Sequence, residues 1–174
     1  MSDNIDHILS EAAARGNEAT VRQCIWAGAT VDWRGGNLSE MTALHLAAIR
    51  GYTNVAMLLI EEGGWSLEAR NLEGATSLLM AARNGCAETV AYLLSCGADM
   101  NTQDNNKWTP LHEASFGGHN ETVEYLLIAG ANDKIKDRNG RTALMRADEG
   151  TRAVFSSILG GGRDHEGGGG DHEQ

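Results

Sequence analysis

Residues 109–130 read TPLHEASFGGHNETVEYLLIAG, and the spacing inside this stretch recurs along the chain. The opening motif, Thr-x-Leu-x-x-Ala, occurs four times in steps of 34, 33 and 33 residues, with its leucine at Leu44, Leu78, Leu111 and Leu144. A degenerate earlier copy lies near the N-terminus. A regular period of this size is the signature of stacked repeats. The sequence therefore predicts five units, with the outer two as caps: units 1 to 5 cover approximately residues 3–36, 37–70, 71–103, 104–136 and 137–161.

Each unit has the pattern of two short helices. In unit 4 the Thr109 hydroxyl can cap a helix that Pro110 is suited to begin, and Gly118 suits its end because glycine accepts a left-handed backbone at little cost. Val123 and Leu126 then fall on one face of a second helix. One helix pair cannot bury its apolar face alone, so neighbouring units must stack. The predicted fold is an all-α solenoid of five stacked helix-turn-helix units with short turn tips.

The period near 33 and the sequence Thr109-Pro110-Leu111-His112 resemble the ankyrin-repeat family over approximately residues 5–160. The resemblance implies a module that binds a protein partner on a concave face, which is built from turn tips and first helices. It also implies a structural role for His45 and His112. Their side chains would hydrogen-bond the turn backbone between units.

Both ends of the chain depart from the regular pattern. Gly35-Gly36 and Trp65-Ser66 look like insertions after units 1 and 2. Unit 5 runs one residue short, so Gly150 is predicted to end its first helix early. Its second helix has few apolar residues. The repeat domain is predicted to cover residues 1–161. Residues 162–174 are rich in glycine and acidic residues, have almost nothing apolar to bury, and are predicted to form a disordered tail.

Charge and cysteine content limit the expected partners and compartment. The formal net charge of −10, with a pI of about 4.9, opposes binding to nucleic acid or to an anionic membrane, since both need clustered Lys and Arg. Three cysteines are an odd and sparse number that suits a reducing compartment. The N-terminus carries acidic residues where a secretory signal would be basic. The expectation is a monomer located in the cytoplasm, the nucleus or both.

The sequence contains no recognisable catalytic or cofactor motif. It lacks a P-loop, a dinucleotide fingerprint, a His-Glu-x-x-His helix and a zinc-type cysteine pair, so we predict a protein that is not an enzyme and needs no cofactor or metal. Asp-His-Glu occurs twice in the tail, at 164–166 and 171–173, and a weak metal site there is the alternative to a solvating tail. Asn101 resembles the ankyrin asparagine that asparaginyl hydroxylases modify. It is a modification candidate, with turn stabilisation as the alternative.

The expected binding surface follows from the family's concave positions. Its basic residues are Arg15, Arg34, Arg50, Arg70, Arg83, Lys136, Arg138 and Arg141, and its acidic residues are Glu73 and Glu149. Eight minus two is +6, on a molecule whose total is −10. This excess predicts a basic groove for an acidic segment, with simple solvation of variable positions as the alternative. The candidate protein-binding residues are Trp108, Phe116, Arg50, Arg83, Asn84, Asn105, Asn106, Arg138, Arg141, Met41, Ile49 and Leu72.

Trp108 and Phe116 are the sharpest candidates in this set. Both lie in unit 4 at positions that the family leaves exposed, and large aromatic side chains there are typical binding hot spots. Packing against neighbouring tips is the alternative. The predicted function is a protein–protein interaction module that serves as an adaptor, a scaffold or an inhibitor subunit. A regulatory subunit of an enzyme complex, or an unrecognised metal-dependent or enzymatic role, are the alternative functions.

Overall fold

The computed structural model describes residues 2–30, 33–34 and 40–160. Within these residues the chain forms ten helices and no strand, which confirms the predicted all-α class. The helices are α1 (Ser2–Arg15), α2 (Glu18–Trp26), α3 (Ala43–Arg50), α4 (Thr53–Glu61), α5 (Ser77–Arg83), α6 (Ala87–Ser95), α7 (Pro110–Phe116), α8 (Asn120–Ile128), α9 (Ala143–Arg146) and α10 (Glu149–Gly160).

The helices alternate between two layers of a solenoid. The first helices of the units, α1, α3, α5, α7 and α9, each pack against the next first helix along the chain. The second helices, α2, α4, α6, α8 and α10, form a parallel row in the same way. Each first helix also packs on the second helix of its own unit. This arrangement buries the apolar face that a single pair would leave open.

Threonine and histidine side chains define the start of two first helices. The Thr42 side chain accepts a hydrogen bond from the His45 N–H, and His45 Nδ1 accepts one from the Thr42 N–H at 3.2 Å. The ring therefore carries its proton on Nε2, which donates to the Ala75 carbonyl of the next unit at 3.0 Å. His112 donates to the Arg141 carbonyl in the same way, at 3.0 Å. These contacts match the structural role expected for both histidines, and burial lowers the pKa of each ring, which favours the neutral form.

Gly85 shows why glycine must follow the first helix. Its φ is +68°, and a Cβ at this position would lie 2.5 Å from Nδ1 of His119. The His119 ring packs there because its Nε2 donates to the Arg83 carbonyl at 2.9 Å. A larger residue at Gly85 would therefore be strained in its own backbone and would also displace the ring of the next unit.

The leucine of the repeated motif forms the centre of the core. Leu44, Leu78 and Leu111 are almost completely buried between adjacent first helices. Leu144 occupies the same motif position, but it is 40% exposed because no described unit packs on the far side of α9. The same motif position is therefore a core position inside the stack and a partly exposed position at its C-terminal end.

The structure corrects the reading of unit 5. Its first helix is a single turn, Ala143–Arg146, and Gly150 lies inside α10 instead of ending α9. The reason is a cap: Asp148 Oδ1 accepts the Thr151 N–H at 2.8 Å, so the second helix begins immediately after the Asp148 cap. Glu149 accordingly belongs to the second helix, not to the first-helix face where it was counted.

The two predicted insertions and the predicted tail have different outcomes. Trp65, in the insertion after unit 2, is buried and packs in the core. Its backbone N–H donates to the Leu59 carbonyl at 3.2 Å. The Gly35-Gly36 insertion and the tail 162–174 lie outside the described residues.

Candidate protein-binding surface

The turn tips of units 3 to 5 are built around one repeated acceptor side chain. Asn71, Asp104 and Asp137 each accept backbone N–H groups two and four residues further along the chain. Asp104 Oδ1, for example, accepts from Asn106 and Trp108, both at 2.8 Å. These bonds fix the backbone of each turn and therefore the direction in which its side chains project.

Backbone hydrogen bonds also join each tip to the next. The Asn105 N–H donates to the Glu73 carbonyl at 2.9 Å, and the Arg138 N–H donates to the Asn106 carbonyl at 3.0 Å. The Asn105 side chain adds a bond to the Leu72 carbonyl at 2.9 Å. Four of the predicted binding residues, Leu72, Asn105, Asn106 and Arg138, thus lie in one continuous row, and all four are exposed.

The aromatic pair of unit 4 lies beside this row. Trp108 and Phe116 meet edge to face, with ring centroids 5.4 Å apart and planes at 70°. The Arg146 guanidinium of unit 5 covers the Trp108 ring at 4.9 Å from its centroid, a favourable cation–π distance. Trp108 is consequently half-buried, whereas Phe116 is 64% exposed. The sequence left two possibilities for this pair, a binding hot spot or packing against neighbouring tips. Trp108 packs between units 4 and 5, whereas Phe116 presents an accessible ring.

Arg146 is held in place by a buried carboxylate. Its Nε donates to Asp137 Oδ2 at 2.9 Å, and a second guanidinium nitrogen contacts the same oxygen. Burial raises the pKa of Asp137, but the N–H groups of Arg141 and Asn139 and the Arg146 side chain outweigh it, so the net pKa is lowered. Asp137 therefore links the shape of the last tip to the side chain that covers Trp108.

This linkage predicts a pH-dependent contribution to stability. Asp137→Asn should lower the free energy of unfolding at pH 7 by about 1–3 kcal/mol, because a charged acceptor of several hydrogen bonds is lost. The stabilisation is complete above the pKa of an unfolded aspartate, about 3.9, and is lost as the pH falls through the lowered folded-state pKa. Urea unfolding from pH 7 down to pH 3 would show the difference shrinking. Asp133→Asn, which removes an aspartate with no ion pair among the described residues, is the control; an equal loss there would contradict the prediction.

Arg83 does not offer a free positive charge. It forms ion pairs of 2.7 Å with Glu73 and with Glu113. The Glu113 side chain is only 5% exposed. Burial raises the pKa of Glu113, while the hydrogen bond and charge of Arg83 oppose that rise. The same hydrogen bond raises the pKa of Arg83. The predicted excess of +6 is therefore too large, because Arg83 is neutralised by Glu73 and by Glu113, and Glu113 is not in the predicted set.

The remaining basic side chains concentrate at the tips of units 4 and 5. Within the described residues, Lys107, Lys136, Arg138 and Arg141 are exposed, and none has an acidic partner. Arg50 is also exposed without such a partner, at the end of α3. By contrast, the other arginines of units 1 and 2 are engaged. Arg34 and Arg70 donate to backbone carbonyls, and Arg15 lies 3.6 Å from Glu11.

The other predicted residues contribute less accessible surface. Met41 and Ile49 are half-buried and pack against the core. Asn84 is exposed, but its side chain donates to the Met80 carbonyl at 2.9 Å and so closes the end of α5. Most of the exposed candidate residues therefore lie between Leu72 and Arg141.

The pattern of repeats is matched independently by comparison with known proteins. A family model for ankyrin repeats, built on three copies, matches residues 9–104 and residues 94–164. The chain belongs to the ankyrin-repeat family. Ankyrin repeats are generally protein–protein interaction modules. Protein binding by the particular surface described above stays a prediction.

Individual relatives share the ankyrin repeats over part of their length. The chain is 32% identical over 111 residues to transient receptor potential cation channel subfamily A member 1 of Homo sapiens, which covers 63% of this chain and 10% of that protein. It is 38% identical over 81 residues to inversin of Canis lupus familiaris, with 45% and 7% covered. Ankyrin repeat and KH domain-containing protein mask-1 of Caenorhabditis elegans is 34% identical over 106 residues, with 61% and 4% covered. The chain spans a tenth or less of these relatives, so the likeness concerns the repeat stack.

Two residues of this ankyrin surface, Glu113 and Arg146, escaped the sequence analysis. Both occupy the variable position of Thr-Pro-Leu-His-x-Ala, where units 2 and 3 carry Leu46 and Met80. A change from apolar to charged at one motif position was the available signal. The sequence could not show which residues these charges would meet, because their partners Arg83 and Asp137 belong to other elements.

The alternative metal site of the tail, at 164–166 and 171–173, lies outside the described residues. Among the residues that the structure describes, no group of three or more His, Cys, Asp or Glu side chains is arranged to hold a metal ion. No helix in that part of the chain is long and apolar enough to cross a membrane. Asn101 lies in the loop after α6, where its side-chain oxygen accepts the Asn132 N–H at 2.9 Å. That bond matches the turn-stabilising alternative, and modification of Asn101 stays a prediction.

Proposed function

We propose that this chain is an adaptor, scaffold or inhibitor subunit that binds a protein partner on the face formed by the turn tips and first helices of units 3 to 5. The observation that carries the proposal is Phe116. Its ring is 64% exposed and rests on Trp108, which is itself fixed by Arg146. A rigid exposed aromatic ring can contribute binding energy without losing side-chain freedom on association.

The charge around this ring favours an acidic partner segment. Lys107 lies on the same tip as Trp108, and Arg138 and Arg141 lie on the adjacent tip; none of the three has an acidic partner in the described chain. The molecule as a whole is acidic, with a formal net charge of −10. A local basic surface on an acidic protein attracts segments of opposite charge. The preferred ligand is therefore an acidic segment with one apolar or aromatic anchor.

A displayed peptide library selected on the 174-residue chain tests this proposal. Selected peptides should combine acidic residues with an apolar anchor, and Phe116→Ala should weaken them by roughly 30-fold, as expected for a hot spot of about 2 kcal/mol. Trp26→Ala is the matched control, because Trp26 is an exposed aromatic on the second helix of unit 1. Peptides that bind equally well to both variants would show that the aromatic pair is not the centre of binding.

A further inference from the structure

A shallow groove runs between two second helices, away from the turn tips. Its volume is about 310 Å³, and it is lined by Ala87 and Ala91 of α6 and by Tyr125 and Ile128 of α8, with glutamates at its edges. Tyr125 and Ile128 are both exposed, Ile128 by 69%. The groove is thus an apolar depression on the outer row of helices, separate from the proposed binding surface.

The packing of the repeats does not require this apolar surface. Ile128 stands where the equivalent residues of units 2 and 3 are Glu61 and Ser95. Ala91 stands where units 2 and 4 carry Met57 and Glu124. Three of these four equivalents, Glu61, Ser95 and Glu124, are polar, so the same helix pair forms elsewhere in the stack without an apolar residue at one position or the other. The large apolar side chain at Ile128 and the small one at Ala91 together create the groove.

The electrostatic environment of the groove is entirely acidic. Glu88, Glu121 and Glu124 line its edges, and within the described chain none of them forms an ion pair or a hydrogen bond through its side chain. Helices α4, α6 and α8 contain no Lys or Arg. Three uncompensated carboxylates around an apolar floor attract a cationic ligand and oppose self-association through two copies of this face.

We propose that the groove between α6 and α8 binds a basic amphipathic helix of a partner protein. An aliphatic or aromatic side chain of that helix would lie between Ala91 and Ile128, and Lys or Arg side chains one turn away would meet Glu121 and Glu124. This is the helix-in-groove mode, in which apolar anchors recur at i, i+3 and i+4. The inference does not depend on the function proposed for the tips. It makes the chain bivalent, with basic tips for one partner and an acidic groove for another.

A fluorescein-labelled amphipathic peptide of leucine and lysine provides the probe, and a scrambled peptide of the same composition tests whether charge alone suffices. Fluorescence anisotropy with the 174-residue chain measures the dissociation constant. Glu121→Gln with Glu124→Gln should weaken binding about tenfold at low salt and less at high salt, where exposed charges are screened. Ile128→Ser should weaken binding by a similar factor at both salt concentrations, since an apolar contact is lost.

Matched variants separate the groove from the rest of the surface. Glu40→Gln with Glu149→Gln removes two exposed charges elsewhere and should leave the affinity unchanged. Phe116→Ala should also leave it unchanged, which keeps this result independent of binding at the tips. The proposal is overturned if the control pair weakens the peptide as much as the groove pair, if the scrambled peptide binds equally well, or if no binding occurs. Self-association that Ile128→Ser abolishes would also overturn it, because the occupant would then be a second copy of the chain.

Discussion

Leu111→Ala is expected to lower the free energy of unfolding by about 2–5 kcal/mol, because it leaves a cavity that the surrounding structure fills only in part. Leu111 is 1% exposed and lies in α7, which packs against α5 on one side and α9 on the other. A stacked repeat depends on its interfaces with both neighbours, so the loss affects units 3 to 5 together. Urea unfolding followed by circular dichroism gives the free energy.

Leu144→Ala is the matched control for this prediction. Leu144 holds the same position in the motif but is 40% exposed at the end of the stack. Its truncation should therefore cost about 1 kcal/mol or less, since less apolar surface is removed from contact and little cavity forms. Equal losses at the two leucines would mean that the C-terminal unit is covered in solution by something that the described chain does not show.

Arg83→Met is expected to lower the free energy of unfolding at pH 7 by about 2–4 kcal/mol. The substitution leaves the buried Glu113 carboxylate without its cation, and an unpaired buried charge is strongly destabilising. The magnitude is placed below that of a fully buried pair because the Arg83 side chain is 35% exposed and water can partly replace it. Methionine keeps much of the aliphatic length of arginine, so the lost free energy of unfolding mainly measures the contribution of the guanidinium charge.

A double-mutant cycle with Glu113→Gln tests the cause. Glu113→Gln removes the charge that Arg83 compensates, so Arg83→Met should cost much less in that background. In the single Arg83→Met variant we expect the pKa of Glu113 to rise further, because the cation that opposes the rise is lost; the penalty is then present above that pKa and disappears as acid protonates the carboxyl. The loss should therefore shrink as the pH falls towards about 4. A loss that is the same in both backgrounds and at every pH would rule out this account.

This ion pair changes how the binding surface should be probed. A charge reversal at Arg83 would place a third carboxylate next to buried Glu113 and exposed Glu73, so weakened binding would reflect disturbed folding. Arg138 and Arg141 are better sites for charge reversal, because their side chains are exposed and unpaired within the described residues. For the same reason Phe116 tests the aromatic pair better than Trp108, which carries packing with Arg146.

The repeat architecture follows from the sequence alone, because its causes are local and periodic. The step of 33 or 34 residues between Leu44, Leu78 and Leu111 places each leucine at the same point of a helix pair. The Thr-x-x-His spacing brings the His112 ring to the Thr109 cap within one helical turn. The all-α class and the family could therefore be predicted, and the structural role of the histidines was implied by the resemblance to that family.

Charge and exposure were decided only by the tertiary structure. Arg83 meets Glu73 and Glu113, and Arg146 covers Trp108, because stacking brings side chains of different units together. The repeat period predicts which motif positions of adjacent units face one another, but it does not predict which side chains form ion pairs. An ion pair neutralises a charge that a count of basic residues treats as available for binding. The groove beside Ile128 has the same origin: its walls are two helices, and only their packing shows that the residues between them are too small to fill the space.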